Sequence, residues 1–80
     1  MKAVEMIATF EPEGTIKPFR FRLSDEYGES QVFNIRHINY SEKFERENKV
    51  KFAVKVTVNG QDKTLIVWFY GDSNKWYIDI

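Results

Sequence analysis

The side chains whose type and spacing could do chemistry are lysines and aromatics near the C-terminal end of the chain. Lys49, Lys51 and Lys55 share one parity in an alternating run. Trp68 and Tyr70 share one parity in the next run, and Tyr77 lies in the last. On strands, residues of one parity point to one face. Lysines interleaved with rings form a platform on which bases of a single strand stack while the ammonium groups meet phosphates, each stacked base contributing roughly 1–3 kcal/mol. A blander chemistry fits the same residues, because lysine stems commonly cover a cross-strand ring on an ordinary solvated face. Such a face could also pack beneath the first three strands of the chain. Arg20, Arg22 and Arg36 extend the basic patch only if they share its side; otherwise they form a solvated stripe.

Catalytic chemistry has little to work with. His37 is the only histidine, and no nucleophile or orienting carboxylate stands at a useful spacing from it. Ser24, Ser30, Ser41 and Ser73 fall at turns or strand ends, and the acidic residues, Asp25 with Glu26 for example, read as exposed turn acids. The chain contains no cysteine, which removes disulfides, thiolate metal sites and thiol nucleophiles together. No calcium loop, zinc ligand set or phosphate-binding glycine loop is present. The expectation is a non-enzymatic protein with no metal and no cofactor.

The lysines and rings must be positioned by strands. Val50, Phe52, Val54, Val56 and Val58 alternate with Lys49, Lys51, Ala53, Lys55 and Thr57, the period of a strand buried on one face. Asn59-Gly60 follows, a dipeptide suited to positive φ at both centres of a type I′ turn. It predicts Val58 opposite Gln61, hence Lys51 opposite Trp68 and Lys49 opposite Tyr70. Gly71-Asp-Ser-Asn74 predicts a four-residue turn, which sets Phe69 against Trp76, Val67 against Ile78, Leu65 against Ile80 and Trp68 against Tyr77. The predicted core is the apolar face shared by these three strands.

Upstream, Lys2–Phe10 reads as a strand with Val4, Met6, Ala8 and Phe10 on one face. Glu11-Pro-Glu-Gly14 reads as a turn, with proline presetting φ at its second position. Ile16–Leu23 is the second strand, with Phe19, Phe21 and Leu23 on one face and Pro18 at an edge or a bulge. After a loop with Gly28 at positive φ, a third strand runs from about Gln31 to Tyr40. A five-residue loop would set Phe21 against Phe33, Phe19 against Ile35 and Ile16 against Ile38. Ser41–Asn48 fits one capped helical turn or an extended hairpin end, and is taken as loop.

Eighty residues make one domain, 1–80, near the size at which one core just suffices. With 42% hydrophobic residues the chain can fold without a staple, and twelve basic against twelve acidic residues leave no global field to draw it to nucleic acid or anionic membrane. Glu5 interrupts the apolar flavour of the first ten residues, so they read as a strand rather than a signal peptide. No run approaches the roughly 20 apolar residues of a membrane span. The expected location is the cytoplasm. Several strands are apolar on both faces, so the fold class is all-β: a six-stranded antiparallel meander curled into a small barrel or strongly bent sheet.

The run Ile7–Arg22, then Gly28-Glu29, then Trp76-Tyr-Ile-Asp-Ile80 resembles a group of short uncharacterised small β proteins of Firmicutes with no assigned function. The likeness rests on turn and core residues across most of the chain. It implies a bacterial, cytoplasmic small β protein and carries no functional residues with it. The leading functional reading is a binding or accessory module of unknown ligand. One alternative is weak single-stranded nucleic-acid binding through Lys49, Lys51, Lys55, Trp68, Tyr70 and Tyr77. The other is a homodimer or protein adaptor formed through the edges of the terminal strands, which stay open unless the barrel closes.

Overall fold

In the computed structural model, which describes Met1–Ile80, the chain forms six strands and no helix. They are β1 (Lys2–Phe10), β2 (Ile16–Ser24), β3 (Ser30–Phe44), β4 (Lys49–Val58), β5 (Gln61–Tyr70) and β6 (Lys75–Asp79). Each pairs antiparallel with the next, and β1 returns to pair with β6, so the meander closes into a barrel. Of the two forms the sequence leaves open, the closed one is the fold.

Turn chemistry sets most of the register. Asn59 and Gly60 have φ of 50° and 77°, as a type I′ turn requires. The ladder from Val58–Gln61 to Lys49–Tyr70 follows without a slip. Across the turn 71–74, Phe69 faces Trp76, Trp68 faces Tyr77 and Val67 faces Ile78, as the sequence predicts. At Glu11–Gly14 the Gly14 N–H donates to the Glu11 carbonyl at 2.8 Å, and Gly14 takes φ of 92°. Loop 25–29 keeps Phe21 opposite Phe33.

Bulges overturn the expected faces upstream. In β2 the ladder to β1 steps from Ile7–Arg20 to Ala8–Pro18, leaving Phe19 as the extra residue. A proline has no N–H for the ladder, and a bulge is where a strand tolerates it. Parity therefore reverses: Pro18 turns into the core while Phe19 stays 48% exposed. Phe19 does not share the face of Phe21, and the ladder to β3 stops at Arg20–Asn34, short of the expected Phe19–Ile35 and Ile16–Ile38 pairs.

In β3, Arg36 and Asn39 are skipped in the ladder to β4. Two extra residues bend the strand sharply. This is how β3 passes from its pairing with β2, which ends at Asn34, to its pairing with β4, which begins at Ile35. Residues 41–44 continue as strand to the Phe44–Lys49 pair, so only 45–48 form the turn; Ser41–Asn48 is mostly hairpin rather than loop.

The core lies inside the cylinder. Phe21, Val54, Val56, Val67 and Ile78 are at most 1% exposed. Phe21 stacks on Phe33 with centroids 5.0 Å apart, and Trp76 sits 4.7 Å from Phe69 and 5.9 Å from Phe52. Two residues assigned to apolar faces lie outside the core. Ile80 follows the last ladder pair, Ile66–Asp79, so the expected Leu65–Ile80 pair does not form, and Phe10 ends β1 beyond the reach of β6. The two C-terminal isoleucines thus separate packing from pattern. Ile78→Ala is expected to lower unfolding free energy by about 2–5 kcal/mol, the usual range for an isoleucine truncated in a packed core. Ile80→Ala is expected to stay within about 0.5 kcal/mol, as exposed substitutions do. Urea melts of the two variants check the pair.

Candidate functional site

The outer face of β4–β6 gathers the lysines and rings into rows. One row runs Phe44, Lys49, Tyr70, Lys75 across four strands; the next runs Glu42, Lys51, Trp68, Tyr77. Strand pleating turns these side chains away from the valine face of β4, so they stand on the outside of the barrel. Lys49, Lys51, Trp68, Tyr70 and Tyr77 are all half-buried, covered by one another yet open to solvent.

Their contacts are mutual. Lys49 Nζ lies 4.9 Å from the Trp68 ring centroid, 5.5 Å from that of Phe44 and 5.9 Å from that of Tyr70. Lys51 Nζ lies 5.9 Å from the Trp68 ring. Tyr70 and Tyr77 meet edge to face at 5.3 Å, and Phe44 tilts against Trp68 at 5.8 Å. The Trp68 indole N–H donates to Asp79 Oδ2 at 3.1 Å, which anchors the ring on the β6 side. One row further along, Ala53 is 2% exposed between Tyr40 and Ile66, closing the floor of the strip.

Some expected members stand apart. Lys55 pairs with His37 on one side and Thr64 on the other, with no ring beneath its ammonium group. The arginines form no extension of the strip. Arg20 and Arg22 lie on β2, across the barrel from β5 in the strand order, and Arg22 is ion-paired with Glu5. Arg36 sits in its bulge, its Nε 3.4 Å from Thr57 Oγ1. Phe44 and Asp79 join the strip without a signal in the sequence: Phe44 lies in the polar stretch 41–48 that reads as loop, and the role of Asp79 depends on the Trp68 rotamer.

No group of three or more His, Cys, Asp or Glu side chains converges to hold a metal ion. The chain matches no known protein family, curated protein or solved structure. What fold and site define is a small closed meander barrel with a filled interior and a lysine–aromatic strip on its outside.

One end of the strip is locked by two neighbouring turns. Asn48, at φ of 51°, precedes Lys49, and Gly71 follows Tyr70. The Gly71 N–H donates to the Asn48 carbonyl at 2.8 Å, and Asn48 Nδ2 donates to Asp72 Oδ1 at 2.8 Å. The Asn48 amide lies over Gly71 so closely that a Cβ there would come 2.5 Å from Oδ1. Gly71→Ala is therefore expected to push the Asn48 side chain aside and break its hydrogen bond to Asp72, at a cost of about 0.5–1.5 kcal/mol. Removing the obstructing amide with Asn48→Gly in the same chain is expected to recover part of that loss. Thermal melts of both single variants and the double variant check the coupling.

Proposed function

We propose that the protein is a non-enzymatic binding module that works from its outer surface, with the lysine–aromatic strip of β4–β6 as its site. The observation that carries this reading is the cluster of Trp68, Tyr70 and Tyr77, left half open on the outer face and edged by Lys49, Lys51 and Lys75. The interior is an unsuitable alternative, since a six-stranded cylinder is narrower than the eight-stranded barrels whose interiors side chains just fill. His37 is exposed and stands beside Lys55 rather than a carboxylate, which also favours binding over catalysis.

The ligand class whose chemistry fits is single-stranded nucleic acid, held weakly and with little sequence preference. Two ammonium groups already occupy the neighbourhood of Trp68, and that must be weighed. A lysine over an exposed ring contributes about 0.5–1 kcal/mol, whereas a stacked base contributes roughly 1–3 kcal/mol. A base can thus displace the lysines from the ring, and the displaced ammonium groups remain within reach of the phosphates. Glu42 opposite Lys51, and Asp79 beside Trp68, oppose a polyanion and keep the affinity low. The bacterial, cytoplasmic setting included in this reading rests on the sequence resemblance. A membrane site is not part of it: no helix is long and apolar enough to cross a bilayer, and the apolar-in, charged-out pattern inverts that of a membrane barrel.

Tryptophan fluorescence on adding oligo-dT and oligo-U tests the proposal, because Trp68 is on the strip and Trp76 is buried. The expected result is saturable quenching that is lost in Trp68→Phe. With two or three phosphate contacts, affinity should fall about tenfold between roughly 50 and 200 mM salt. No quenching at either salt concentration would remove nucleic acid as the ligand and leave the strip to a protein partner.

A further inference from the structure

The β1–β6 seam that closes the barrel is short, and beyond it one strand edge is bare. β1 pairs with β6 only over Lys2–Val4, whereas it pairs with β2 from Glu5 to Phe10. No strand other than β2 and β6 approaches β1. None of the backbone hydrogen bonds outside the strand ladders involves residues 5–10. Along that segment, the backbone groups directed away from β2 have no partner within the chain. The β1–β2 hairpin has a second such edge on β2 over 16–19, because the ladder to β3 begins only at Arg20.

The two edges differ in how they are guarded. The β2 edge carries Lys17, Pro18 and the bulged Phe19, three devices that block the addition of a further strand. Residues 5–10 of β1 contain no proline, no lysine or arginine and no bulged residue. Their single charge, Glu5, is ion-paired with Arg22 of β2. Ile7 is 54% exposed and Phe10 69%. A guarded edge beside an unguarded one marks the second as the place where a strand is accepted.

We propose that the β1 edge over Glu5–Phe10 is a dimerisation surface, on which a second copy of this chain lays the same segment antiparallel about a two-fold axis. The β1–β2 ribbon of each copy then becomes half of a continuous four-stranded sheet. Self-pairing is favoured by the segment's own pattern. For the two sheets to keep their outer faces on one side, residues of like parity must pair, so the axis passes through a residue. An axis at Ala8 would set Glu5 of one copy against Glu11 of the other, a like-charge pair that destabilises a sheet. An axis at Ile7 sets Ile7 against Ile7, Met6 against Ala8 and Glu5 against Thr9, with no charge facing its like. Five ladder positions bury less than the roughly 800 Å² per partner of a standard interface. The dimer is accordingly reversible and concentration-dependent, and it leaves the β4–β6 strip of each copy exposed.

Sedimentation equilibrium over roughly a thousandfold range of concentration tests the proposal. The expected result is a monomer that becomes a dimer, with Ile7→Lys and Thr9→Lys each weakening association by about tenfold or more, equivalent to about 1.4 kcal/mol. Both positions are exposed, so these substitutions spare the core. Phe19→Lys, on the guarded edge, is expected to change nothing. Amide exchange adds a second reading: amides within 5–9 should become slower with protein concentration while those of 16–19 do not. A monomer at every concentration would overturn the proposal and leave the edge to a strand from another protein. A dimer insensitive to both β1 lysines, or equally sensitive to Phe19→Lys, would overturn it as well.

Discussion

A six-stranded cylinder has room inside for side chains of one parity only, and that requirement governs everything else in the molecule. Each strand must turn its large apolar residues inward through the whole height of the barrel, although the wall it lies in changes direction. Where the local alternation cannot do this, an extra residue is inserted. Phe19 resets β2, so that Ile16 and Pro18 point inward before the bulge and Phe21 and Leu23 after it. Arg36 does the same for β3, switching the inward set from Phe33 and Ile35 to Ile38, whereas Asn39 acts in the opposite sense, placing the exposed Ser41 and Lys43 on the parity of Phe52 and Val50 and leaving Tyr40 and Phe44 outside. Bulges also bend and twist the strand that bears them. The bulges that set the parity therefore also supply curvature to the sheet.

The same bookkeeping of faces decides what stands on the surface. The second reset in β3 is what turns Tyr40 and Phe44 outward, and Phe44 then meets Lys49 and Trp68. β4 and β5 need no correction. Their ten-pair ladder runs without interruption from the Asn59-Gly60 turn to the Lys49–Tyr70 pair. The strip thus rests on the most regular part of the barrel, and its far end is fastened by the Asn48–Gly71 contact between adjacent turns. A binding face built on a regular ladder holds its rings at fixed spacings, whereas the β1–β2 ribbon beyond the bulge is held by one ladder and by the burial of Pro18.

Legibility of the sequence follows that division. From Lys49 onward the strict alternation and a turn that demands positive φ agree, so register, core face and outer face could be read from the residues, with Ile80 at the strand end the exception. Upstream, the strands and turns were legible but the faces were not. Pro18 signalled an irregularity without saying which neighbour would be extruded, and Phe19 is as apolar as Phe21. Arg36 and Asn39 carry no mark at all, since a bulge in β3 is set by the curvature the closed sheet needs. Phe44 was hidden in a polar stretch for a related reason: its partner, Lys49, became visible only once the hairpin was known to extend to it. The contacts of Asp79 with Trp68, and of Asn48 with Gly71, join positions eleven and twenty-three residues apart by numbering. No local pattern encodes them.

The two surfaces the barrel offers differ in the kind of recognition they support. On the strip, every ring is already contacted by another ring or an ammonium group, so a ligand gains only the difference between its contacts and those it replaces. The proposed binding would accordingly be of modest affinity and low specificity, because any planar group could take the place of a lysine on Trp68. At the β1 edge the backbone groups have no partner within the chain, and a strand that docks on them would complete a directed ladder. Register there is constrained by charge, through Glu5 and Glu11, and by the end of the β6 ladder at Val4. On the proposed readings, the strip would take many ligands weakly, while the edge would take few partners in one orientation. A barrel that joins its copies through the edge brings two strips into one particle, and paired weak sites on a rigid frame bind an extended strand more tightly than either does alone, provided the strand spans both.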